Sequence, residues 1–201
     1  MPKSGWAAQG GFNLVEMVVA LAVLSFLASI SVPPLMRAAA ESRIRLAAAE
    51  VAHTFHQARA WAVRYGANVG VRFLPGEDFV TWEMFYDGDG DGVRRDDIAS
   101  GIDPRVLGKR LSRFGPAARF GFPPGAPARD PGRPSRRLDR LDDPIRFNRS
   151  DIASFDPLGS ATPGSVYLTD GKFRLAAVRV AGASGRIRVL LWDPAKDAWR
   201  E

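Results

Sequence analysis

The chain has 201 residues, 28 Lys and Arg against 22 Asp and Glu, two His and no Cys, enough for one compact domain with appendages. The lack of Cys excludes a disulfide framework, a thiolate zinc site and cysteine catalysis, and at 46% hydrophobic and 25% charged the chain is not disordered as a whole. Charge is uneven along the chain: +1 over residues 1–11, +2 over 12–66 (5 minus 3), 0 over 67–144 (13 minus 13) and +3 over 145–201 (9 minus 6).

The first element is apolar. Residues Phe12 to Val32 form a 21-residue run whose only charge is Glu16, about the ~20 residues a helix needs to cross a bilayer. A carboxylate there costs about 2.5 to 3.5 kcal/mol at mid-membrane and less near an end, so it calls for a partner. A secretory signal peptide, with Ser29 and Ser31 before a cut at Val32, and a plain membrane anchor both leave Glu16 without one. Cleavage between Gly11 and Phe12 would place a new α-amino group four residues before Glu16, and an ammonium beside a carboxylate offsets the desolvation of both.

The segment GFNLVEMVVALAVLSFLASISVPP resembles the class III signal of type IV pilins and pseudopilins. The resemblance implies a prepilin leader at 1–11, a peptidase that cuts after Gly11 and N-methylates Phe12, Glu16 as the fifth-position assembly glutamate, and Pro33 as the proline that kinks or loosens the stem. It also implies a single-pass bacterial inner-membrane precursor with its C-terminal domain in the periplasm, later drawn into a periplasmic pseudopilus or a surface pilus. The transmembrane and filament-core helix would cover 12–34.

From Leu35 to Tyr65 there is no Gly, and Pro is absent after Pro34. The apolar stripe Ile44, Ala48, Val51, Phe55, Ala58, Ala62, Tyr65 predicts an amphipathic stem helix over 35–66, closed by Gly66. His53 and His56 are three apart and read as surface histidines.

After Gly66 the period changes to two. Strands are expected at Asn68 to Leu74 and Phe79 to Tyr86, joined by a turn over Pro75 to Asp78, with Val80, Trp82, Met84 and Tyr86 on one face. Further strands are expected at Arg105 to Leu111, Ser165 to Thr169, Arg174 to Val180 and Arg186 to Trp192, with turns at Asp170-Gly171 and Ser184-Gly185. Residues 123–144, with six Pro, five Arg and four Asp, read as a loop-like or disordered surface insertion. The expected architecture is α+β and type IV pilin-like: a long N-terminal helix packed on an antiparallel β-sheet, with a β-rich globular domain over 67–201.

Phe155, Pro157 and Gly159, followed by a strand pair and Gly185-Arg186-Ile187-Arg188, resemble the end of the GspH/FimT family of minor pseudopilins, as does the aspartate-rich loop after the Trp82 strand. The family resemblance implies a minor subunit that helps initiate or cap a type IV filament, with other pilin or pseudopilin subunits, the prepilin peptidase and the inner membrane as partners. Some transformation-linked members are thought to bind DNA through such a GRxR element, which makes Arg186 and Arg188, two apart on one strand face, candidates for extracellular DNA. Lys172, Arg174 and Arg179 would widen that patch if they share its face.

No cofactor is expected, with calcium as the one candidate. Asp87, Asp89 and Asp91 alternate with Gly as at the opening of a calcium loop, but Ile98 stands at the twelfth position where a bidentate Glu is needed. The chain carries no GxSxG, HExxH or P-loop, and it reads as a peptidase substrate and not as an enzyme.

Overall fold

The computed structural model describes residues 13–75, 80–110, 118–125, 128–148 and 150–201. The leader with Gly11, Phe12, residues 76–78 of the first expected turn, Phe79 at the start of the second expected strand, and Leu111 lie outside the described residues.

Helix α1 runs from Leu14 to Tyr65 and stays helical across Pro33 and Pro34. Asn13 stands at its N-cap, where its side-chain oxygen accepts from the Val15 N–H at 3.4 Å. Gly66, at φ 65°, closes the helix with its N–H on the Ala62 carbonyl at 2.9 Å.

The chain divides after Ala39 into two compact units. In the first, every described residue from 13 to 39 is exposed, although the stretch is almost wholly apolar. The second unit has its own core. There α1 buries Ile44, Ala47, Ala48, Val51, Ala52, Phe55, Ala58 and Ala62. The expected stripe is present except at its end: Tyr65 is 53% exposed, because the helix stops there and its ring stacks on Tyr86.

Two main antiparallel sheets replace the single one expected. The first contains β1 (Val69–Pro75), β2 (Val80–Tyr86), β3 (Arg105–Arg110) and β8 (Ile152–Phe155), in the order β3-β2-β1-β8. The second contains β9 (Gly164–Thr169), β10 (Leu175–Val180), β11 (Ile187–Asp193) and β12 (Ala198–Arg200), in the order β12-β11-β10-β9. The outer edge of β9 is shared by β7 (Ile145–Phe147), on its first half, and β4 (Arg119–Phe120), on its second. A short helix, α2 (Arg95–Ser100), follows β2.

Period-two alternation explains how the sheets pack. Trp82 and Met84 of β2 and Val69, Val71 and Phe73 of β1 face α1, as do Val166, Leu168, Ala176, Val178 and Val180 of the second sheet. Phe55 is central, with ring centroids 5.7 to 5.9 Å from Phe73, Phe147 and Phe155. The opposite parity of the second sheet, Tyr167, Ala177, Leu190 and Trp192, forms a separate apolar layer with Phe122, Ala128, Leu138 and Trp199.

That layer corrects the reading of 123–144 as loop-like. Within it, β5 (Arg129–Asp130) and β6 (Arg133–Arg137) form a hairpin. The Leu138 N–H on the Ala128 carbonyl closes its base, and Trp199 donates Nε1–H to the Arg129 carbonyl at 2.6 Å. Arg129 also pairs with Asp197. The segment covers apolar sheet surface with only a few apolar residues of its own, and its Pro, Arg and Asp content hides that role.

Candidate functional site

Glu16 lies in the first turn of α1, where the exposed N–H groups of the helix favour an anion. It is exposed, as are its apolar neighbours Leu14, Val15, Met17 and Val18. From its start α1 is long and apolar enough to cross a bilayer.

The two C-terminal motif pieces meet. Gly185, at φ 56°, packs against the Gly159 carbonyl so closely that a Cβ would fall within 3.0 Å of the oxygen. Arg59 of α1 donates to the Gly185 carbonyl at 3.4 Å, and its guanidinium also lies beside Gly159. Asp156 sets the first turn, accepting from the Leu158 N–H at 2.6 Å. The Phe155–Gly159 turn and the Gly185 turn are therefore one packed unit.

Arg186 precedes β11 and Arg188 lies on it. Both reach the Glu201 carboxylate, at 3.9 and 3.5 Å, so they share a side, and their side chains are 67% and 39% exposed. Of the three cations expected to widen this patch, the structure joins one. Arg179 is the direct cross-strand neighbour of Arg188, but the hairpin at Gly132 lies on its guanidinium and it donates to Ser165 Oγ at 3.3 Å. Arg174 reaches Glu41 at 2.7 Å, and Lys172 lies with it at the β9–β10 turn.

The carboxylate oxygens of Asp87, Asp89 and Asp91 lie within 4.8 Å of one another. Asp87 is buried, and its carboxylate accepts from the N–H groups of Gly90 (2.7 Å) and Gly92 (2.9 Å) and from Asn68 Nδ2 (3.1 Å). Burial pushes its pKa up, and these hydrogen bonds outweigh burial and hold the group below the usual carboxylate range. Asp89 and Asp91 are exposed, and Asp91 pairs with Arg94. Ile98 sits on α2 and packs with Phe85, Val93 and Ile152, so the twelfth position serves a small apolar cluster.

Two residues escaped the sequence reading. Asp103 is buried and holds the other side of the acidic loop, accepting from the N–H groups of Gly88 (3.0 Å) and Arg94 (2.9 Å). Glu41 accepts from Arg174 Nη1 and Arg200 Nη2, both at 2.7 Å, and so ties α1 to the start of β10 and to β12. Burial acts to raise its pKa, and the two guanidinium groups pull it below the ordinary value of 4.5.

Neither a curated protein nor a solved structure matches the chain. The family described as type II transport protein GspH matches residues 47–185, which is most of α1 within the second unit and the sheets through Gly185. The match takes in the acidic loop, the Phe155–Gly159 turn and the Gly185 turn that receives it. With a long apolar N-terminal helix preceding antiparallel sheets, and with the family's own match covering well over half of the residues, this chain belongs to the GspH family of type II secretion pseudopilins.

Proposed function

We propose that the chain is a minor subunit of a type IV filament, either a type II secretion pseudopilus or a type IV pilus, and helps to initiate or cap it. In this reading a prepilin peptidase cuts between Gly11 and Phe12 and N-methylates Phe12. The apolar half of α1 first spans the inner membrane, with the sheets in the periplasm, and then moves into the filament core beside the equivalent helices of other subunits. The observation that carries the reading is Glu16, the single charge in an apolar run that heads a GspH-family domain. Its carboxylate pairs with the new N-terminal amine, its own or a neighbour's, and a charge that is costly in hydrocarbon becomes a register mark between subunits.

Intact-mass and N-terminal peptide analysis of protein taken from its native membrane tests the cleavage, with N-methylated Phe12 as the expected first residue. Glu16→Ala should be cleaved but fail to enter filaments. Normal incorporation of that variant would remove the pairing mechanism.

A second reading, DNA capture during transformation, has one observation in its favour: Arg186 and Arg188 converge on one side with more than a third of each side chain exposed. Salt-dependent binding of duplex DNA by the full chain, lost in the double variant Arg186→Gln, Arg188→Gln, is its expected signature. Equal binding by the double variant would remove the site.

A further inference from the structure

Phe173 is 84% exposed at the tip of the turn between β9 and β10. The turn is stiff. Asp170 Oδ1 accepts from the N–H groups of Lys172, Phe173 and Arg174 at 2.8, 2.9 and 3.0 Å, and Thr169 Oγ1 donates to the Arg174 carbonyl at 2.8 Å. These four hydrogen bonds fix the backbone that carries the exposed phenyl ring.

Cations surround it. Lys172 is its exposed chain neighbour, and exposed Arg119 lies with its guanidinium against Gly171. Arg174 joins the turn to Glu41, which also meets Arg200 and Arg45. Five cations therefore share this end of the domain with Glu41 and Asp170, whose carboxylates are engaged by the protein, a balance of +3 (5 minus 2).

The patch is tethered to the apolar run by a short length of chain. Glu41 comes only nine residues after Val32, the last residue of the apolar run. A surface tethered so closely needs little intrinsic affinity, because its effective concentration at the bilayer reaches the millimolar range.

We infer that the Asp170–Arg174 turn is a membrane-surface contact, with Phe173 entering the interface and Lys172 and Arg119 on the phosphates of anionic lipid headgroups. The inference rests on the reading of residues 12–34 as membrane-spanning. It gives the subunit a second hold on the bilayer before extraction, one that must break when the subunit joins a filament.

The chain has no Cys, so single-cysteine variants can be labelled directly. Phe173→Cys, Leu158→Cys and Ser25→Cys, each made in the full chain, carry an environment-sensitive fluorophore in vesicles of zwitterionic lipid with or without one third anionic lipid. Quenching is read from lipids spin-labelled at the headgroup or deep in the acyl chain. The expected result is headgroup-level quenching at 173 that needs anionic lipid and falls with salt, none at 158 on its equally exposed turn, and acyl-level quenching at 25. Adding Lys172→Gln and Arg119→Gln should lower the bound-to-free ratio of the 173 label about 25-fold, at ~5-fold per cation. A 173 label as wet as the 158 label, with the 25 label in the acyl region, overturns the contact alone. A 25 label in water overturns the membrane-spanning reading and the contact with it.

Discussion

Gly185 and the carbonyl of Gly159 are in direct contact, and the contact leaves no room for a side chain at position 185. The glycine that opens the GRIR sequence is thus a packing residue, whatever its arginines bind. The close approach excludes any Cβ there, and a φ of 56° further favours glycine.

Gly185→Ala should therefore destabilise the domain by about 2 kcal/mol or more, from left-handed backbone strain together with the clash. Chemical denaturation of the variant checks this. Gly182→Ala is the control: the nearest atoms to its Cβ would be those of Pro163, at 3.4 Å, and the loss there should be smaller.

Glu41 gives a pH-dependent prediction. Its folded pKa lies below the ordinary 4.5, so the Arg174 and Arg200 pairs stabilise the fold above that value and cease to do so as pH falls through the folded one. Glu41→Gln should cost about 1 kcal/mol at neutral pH, since the carboxylate and Arg174 remain partly exposed. The gap between wild type and variant should narrow as pH falls from 4.5 through the lower folded value. A gap that stays constant with pH would assign the loss to packing.

How far the sequence reaches depends on how local the signal is. Strands β10 and β11 are legible because alternation is bounded by Asp170-Gly171 and Ser184-Gly185, and Glu16 is legible because a charge in an apolar run needs no partner to be noticed. Glu41 is illegible because its partners lie 133 and 159 residues away. The β5–β6 hairpin is hidden for another reason. Its hold on the sheet rests on backbone bonds, Ala128, Leu138 and a tryptophan from β12, while its own composition is that of a solvated loop. The division into two sheets is illegible because pairing between distant strands leaves no trace in either one.

Phe55→Ala should be the costliest single truncation in α1, about 3 to 5 kcal/mol. The ring is fully buried and touches three other rings from both sheets. Thermal unfolding should show a loss well above that of Val51→Ala, which removes a smaller buried side chain from the same stripe.

The acidic loop separates a structural carboxylate from solvated ones. Asp87→Ala would leave the N–H groups of Gly90 and Gly92 and the amide of Asn68 without their acceptor, at a cost of about 1 to 3 kcal/mol. Asp89→Ala and Asp91→Ala remove exposed groups and should stay within about 0.5 kcal/mol of wild type. Each variant is melted once in chelator and once in millimolar calcium. With protein hydrogen bonds shaping the loop, Asp87→Ala loses the same stability in both conditions. If a cation shaped it, the wild type would be more stable in calcium and all three variants would lose that gain together, because an oxygen-liganded ion needs its carboxylates jointly.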